Sequence, residues 1–118
     1  MASAVLKRAL ESASEVGITV TGRSSGREIS ILVWLVLEDD KVYLLPVRGS
    51  EADWYRNVRK TPMIRLTAND ARGTAKATPV VDPARVSEVV DKFRAKYGAD
   101  DVARYYKSTD VAVEVSLD

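Results

Sequence analysis

The segment Thr21-Gly22-Arg23-Ser24-Ser25-Gly26-Arg27 packs two guanidinium groups, two serine hydroxyls and two glycines into one short stretch. Arginine grips phosphate bidentately, and hydroxyls with turn amides fill the remaining acceptor positions, so the chemistry on offer is anion binding. The same composition also suits an exposed polar hairpin turn. A Walker A loop is excluded, because no Gly-Lys-Ser/Thr ending follows.

A second stretch runs from Val47 through Arg48, Gly49 and Ser50 to Asn57. Here a strand ends and Ser50, followed by Glu51 and Asp53, reads as the N-cap of a short helix. A helix start presents unpaired amides to an anion, and Arg48 with Ser50 would reinforce it. Trp54 can wall a planar ligand, or simply fill the core as aromatics in short amphipathic helices do. Asn57 can bond a ligand or cap a neighbouring strand. Tyr105 and Tyr106 place two phenols near Arg104 and Lys107, at most one of them facing inward; packing is their ordinary use. Asp39, Asp40, Asp100 and Asp101 lie in turns or caps with no apolar setting, so no residue is designated catalytic.

Composition narrows the chemistry further. The 118 residues include no histidine and no cysteine. That removes a Ser-His-Asp triad, a Cys-His pair, Cys/His zinc sites, histidine-ligated haem and disulfides, so no metal site is expected. Whatever reaction occurs must use hydroxyls, carboxylates, Lys, Arg, backbone amides or a borrowed cofactor. Eighteen Lys and Arg against 17 Asp and Glu give a net charge of +1. A nucleic-acid binder normally carries a larger basic excess, so single-stranded nucleic-acid binding through Arg56, Arg59, Lys60 and Arg65 ranks last among the readings and no nucleic-acid partner is expected. The longest apolar run, Ile31 to Leu37, is far too short to span a bilayer. The first residues lack an apolar signal core, which points to a cytoplasmic protein with no membrane partner.

The elements that must position these groups read as one domain over residues 1–118. Leu6, Ala9, Leu10 and Ala13 recur at helical spacing after Ser3, an N-cap, with Gly17 closing the helix. Ile18 and Val20 start a strand, residues 22–27 form its hairpin loop, and one strand is expected from Ile29 to Leu37. Lys41 to Val47 returns after the turn at 38–40. Met63 to Ala68 and Thr74 to Val81 form a second hairpin around residues 69–73. Asp82-Pro83 is an N-cap with proline at the first helical position. Val86, Val89, Val90, Phe93 and Tyr97 follow on one face, and Gly98 ends that helix. A shorter helix covers 100–107, and Val111, Val113, Val115 and Leu117 alternate as a last strand. About six antiparallel strands with helices outside make an α+β barrel.

The ordered set Thr21-Gly22-Arg23-x-Ser25-Gly26-Arg27, a strand containing Trp34, then Gly49-x-x-x-x-Trp54-Tyr55-Arg56-Asn57 and Pro62 resembles the deazaflavin-dependent nitroreductases. These are split β-barrel proteins related to the pyridoxamine-5′-phosphate-oxidase-like flavin binders. The resemblance, over roughly 18–97, implies a homodimer that binds FMN or a deazaflavin (F420) beside the barrel. It implies cofactor-binding roles for Arg23, Ser24, Ser25 and Arg27 of the loop, for Arg48, Gly49 and Ser50, and for Trp54 and Asn57. It also implies hydride transfer between the cofactor and a small acceptor such as a quinone or nitro compound. Two departures matter: Ser24 stands where the family loop has lysine, and Glu28-Ile29 where Pro-Arg is common. They favour FMN over a polyanionic deazaflavin tail, or a barrel that carries a ligand without turnover.

Overall fold

The computed structural model describes residues 2–117, the side chains of Ala2 and Ser3 excepted. Helix α1 (Ala2–Glu11) precedes β1 (Val16–Thr21), β2 (Glu28–Val33), β3 (Val36–Glu38) and β4 (Lys41–Leu44). Helix α2 (Asp53–Lys60) leads into β5 (Met63–Ala68) and β6 (Ala71–Val80). Then come α3 (Pro83–Tyr97), α4 (Ala99–Tyr105) and β7 (Ala112–Ser116). All pairings are antiparallel, in the order β2-β1-β5-β6-β7-β4-β3.

That order forces the sheet to curl. Strands β2 and β3 are its two edges, yet only Trp34 and Leu35 separate them along the chain. In a flat sheet, steps of about 4.8 Å would set the edges roughly 29 Å apart. The link from Val33 to Val36 reaches about 11 Å at most. The chain therefore closes a barrel that its hydrogen bonds leave split.

This corrects the single strand expected from Ile29 to Leu37 and raises the count from six to seven. Leu35 turns fully into the core, with none of its surface exposed, whereas the residues of β2 before it are exposed or only partly buried. Other boundaries shift for local reasons. Gly17 lies inside β1, where it pairs with Leu32 and Thr67, and does not close α1. Ser3 falls within α1, and its side chain lies outside the described residues. The second hairpin turns on Asn69-Asp70 alone, with Asn69 at φ 54° in the left-handed region. Helix α4 spans 99–105, slightly ahead of the expected 100–107.

Two cores hold the molecule. Ile18, Val20, Leu44, Leu66, Val113 and Val115 fill the barrel, which α1 covers with Leu6 and Leu10. Gly73 lets α1 lie close, since a Cβ there would sit 3.2 Å from a Leu6 methyl. Outside, Val86, Val89, Val90 and Phe93 of α3 pack with Val102 and Tyr106 on Leu45, Val80 and Ala112. Asp82 caps α3 by accepting from the Arg85 N–H at 3.2 Å, and Gly98 at φ 96° ends it. The alternation of Val111, Val113, Val115 and Leu117 holds, and all four are buried.

Candidate functional site

The sequence-predicted residues fall into two groups, and the structure adds a third feature. The first group is the β1–β2 loop. Gly22 N–H donates to the Arg27 carbonyl at 2.8 Å, and Gly26, at φ 74°, donates to Gly22 at 2.9 Å. Ser25 Oγ accepts from the Arg27 N–H at 3.1 Å and so serves the turn. Arg23 is held by α2: its guanidinium donates to Asn57 Oδ1 at 2.8 Å and pairs with Asp53 at 3.2 Å. Its backbone N–H also donates to Asn57 Oδ1, and its carbonyl accepts from Lys60 Nζ at 2.8 Å. Asn57, only 3% exposed, is thus the buried pin of the loop. Ser24 and Arg27 remain exposed, and Arg27 has no ion pair among the described residues.

The second group follows β4. Gly49, at φ 59°, opens a single 3-10 turn (Gly49–Glu51), and the N-cap of α2 is Ala52, not Ser50. A Cβ on Gly49 would strike Asp110 and Ser108, so no side chain fits. Ser50 donates its N–H and hydroxyl to the two Asp110 oxygens, at 3.0 and 2.6 Å. The Ser50 hydroxyl, joined by the Ser50 N–H and the Ser108 hydroxyl, holds the Asp110 carboxyl below its ordinary pKa. The anion that this turn binds is therefore one of the chain's own. Arg48 is exposed, bridged through its backbone to Ser108, with no ion pair among the described residues. Trp54 and Tyr55 are buried in the barrel core.

The third feature was only partly visible in the sequence. A cavity of about 350 Å³ opens where β2 crosses to β3, lined by Glu15, Leu32, Val33, Trp34, Leu45, Val47, Tyr105 and Tyr106. Trp34 lies flat on Tyr97, ring centroids 4.2 Å apart and planes 8° apart. Tyr105 and Tyr106 meet its edges at 5.4 and 5.9 Å, steeply inclined. Burial pushes the Tyr106 phenol well up, so it stays protonated at neutral pH. Such a wall suits a flat aromatic ligand. As expected, only one of the two tyrosines faces inward: Tyr106 is buried and Tyr105 is half exposed, although both line the cavity. Glu15, Leu32, Trp34 and Val47 went unrecognised as wall residues. The available signal was an indole in an otherwise aliphatic strand.

The loop and the cavity sit at opposite ends of β2, whose six residues span roughly 16 Å. Within one chain they do not form a single site. Among the described residues no helix is long and apolar enough to cross a membrane, and none form a cluster of three or more acidic groups fit for a metal.

The seven antiparallel strands, curled and split between β2 and β3, form a split β-barrel, a fold shared with several solved structures. The structure of an F420-H2-dependent reductase, FDR-A, superposes with a TM-score of 0.68 at 18% identity, covering 87% of this chain and 94% of that one. A Listeria innocua protein named for pyridoxamine 5′-phosphate oxidase gives 0.70 at 11%, over 98% and 92%. The haem storage protein HutZ of Vibrio cholerae gives 0.72 at 12%, over 96% and 87%. No curated protein matches the sequence. Residues 7–115 match the family described as "Uncharacterized protein conserved in bacteria" (DUF2255), and the chain belongs to that family.

Proposed function

We propose that this protein is a cytoplasmic FMN- or deazaflavin-dependent oxidoreductase whose whole chain, 1–118, is one cofactor-binding domain. The aromatic cavity at the split of the barrel carries the reading. A chain with no histidine or cysteine needs a cofactor for redox work, and a flat ring stacks well on Trp34 between two phenols. When bound, the cofactor supplies hydride transfer to a small acceptor such as a quinone or nitro compound. The protein's own residues bind, orient and exclude water. Trp34 and Tyr106 form the aromatic wall, and the Tyr106 phenol stays available as a hydrogen-bond donor. Glu15 on the rim disfavours a phosphate inside the cavity, so the anionic tail belongs with exposed cations outside it. Arg48, one residue beyond Val47 of the wall, Arg27 and Ser24 are assigned to that tail. Arg23, Ser25, Asn57, Gly49 and Ser50 shape the backbone that presents them, and Trp54 supports it from the core.

A homodimer completes the reading. Edge strand β2 exposes Ile29 and Ile31 on one face and Leu32, 69% exposed, on the other. A second copy of the chain would bury them. It would also let the loop of one copy approach the cavity of the other.

The fold similarity to a haem storage protein and the internal use of Arg23 favour a second reading, a barrel that binds flavin without turnover. Anaerobic oxidation of reduced FMN or reduced F420 by menadione separates the two. Acceleration by the protein is expected. Binding of the cofactor without acceleration would support the carrier instead.

A further inference from the structure

The last turn of α3 holds the aromatic cavity together from behind. Tyr97 Oη accepts from the Leu35 N–H at 3.0 Å, and its single O–H is shared between the carbonyl oxygens of Leu35 and Ser14, 2.8 and 2.9 Å away. Lys96 Nζ donates to the Ala13 and Leu35 carbonyls, both at 2.9 Å. These contacts hold the α1–β1 loop, which brings Glu15, to the β2–β3 crossing, which brings Trp34, just beyond the point where the β1–β2 ladder ends at the pair Val16 and Val33. The Tyr97 ring lies parallel to Trp34, centroids 4.2 Å apart. Tyr97 itself is not part of the cavity wall.

The geometry points to Tyr97 as the positioning residue of the cavity: it fixes the indole of Trp34 in the plane against which a flat ligand stacks. The inference rests on the cavity being the ligand site proposed above. The crossing has no ladder of its own at Trp34 and Leu35, so its backbone groups depend on a side chain for partners. The Tyr97 hydroxyl supplies them, and the ring removes the freedom of the indole to swing out. A parallel aromatic pair is a modest but measurable contact, so loss of the ring should weaken ligand binding about three- to tenfold.

Two readouts test this. In a Trp54→Phe background, Trp34 is the remaining indole, and acrylamide quenching of its fluorescence reports its exposure without any ligand. Tyr97→Leu should raise the quenching constant clearly, and Tyr97→Phe, which keeps the stack but frees Leu35, should raise it less. Should Tyr97→Leu fail to fold, Tyr97→Phe alone must still show the rise. Unchanged quenching in the folded variants, with only a lower Tm, would overturn the assignment and leave Tyr97 an ordinary packing residue. In the otherwise natural chain, FMN binding should weaken about three- to tenfold in Tyr97→Leu. It should not weaken further when Trp34→Leu already removes the wall. Fully additive losses would also overturn it. If the natural chain binds neither FMN nor F420, the functional reading fails, while the quenching result still decides the role of Tyr97.

Discussion

Arg23 donates twice to one buried oxygen, Oδ1 of Asn57, through its backbone N–H at 3.0 Å and its guanidinium at 2.8 Å. A loop that composition marks as phosphate-binding is thus moulded by the helix behind it. The arginine that a bidentate anion contact would use is instead the pin that fixes the loop's shape. Arg27 is left as the loop cation free to meet an anion.

Replacing Asn57 by Leu removes the acceptor and leaves a guanidinium and an N–H without their partner. A loss of about 1–3 kcal/mol is expected in urea denaturation, because an unpaired buried donor costs its desolvation. Hydrogen exchange at residues 22–27 should rise with it. Arg27→Ala, by contrast, should leave stability within about 0.5 kcal/mol while weakening FMN binding.

Asp110 gives the pH dependence its sign. Its carboxyl is held below the ordinary value, first by the Ser50 hydroxyl, so the folded form binds its proton less readily than the unfolded chain. This contribution is complete above the usual aspartate range and is lost as pH falls through the folded value. Melting curves should show Asp110→Asn less stable at pH 7, with the gap to the natural chain closing below about pH 4. A constant gap across that range would count against the carboxylate. Gly49→Ala should be destabilising at every pH, since both the positive φ and the space forbid a Cβ.

Strand β2 predicts its own outcome. Ile31→Lys places a charge on the exposed apolar edge and should convert a dimer to a monomer in analytical ultracentrifugation, with far-UV circular dichroism unchanged. A natural chain already monomeric at about 100 μM would contradict the dimer.

What the sequence revealed was decided locally. Asp82-Pro83, the apolar stripe from Val86 to Tyr97 and Gly98 carry both caps and the buried face of α3, and the structure returns all three. The Arg-Ser-Gly loop was legible by composition, but its internal use was not. Nothing near Arg23 in the chain signals that Asn57, 34 positions away, takes its donors. The break at Trp34-Leu35 was hidden for a similar reason. An unbroken apolar run looks like one strand, and only closure of all seven strands makes it two edges joined by a crossing. The cavity draws on Glu15, Trp34, Val47 and Tyr106, from four distant segments, and no spacing rule connects them.

The proposed function stands or falls with a flavin-type ring binding in the cavity at Trp34. Titrating FMN, and separately F420, with the purified protein while following cofactor fluorescence tests it most directly. The expected result is saturable quenching with at least one of them below about 50 μM, weakened about three- to tenfold by Trp34→Leu. No spectral change with either cofactor, or equal binding by Trp34→Leu, would contradict it.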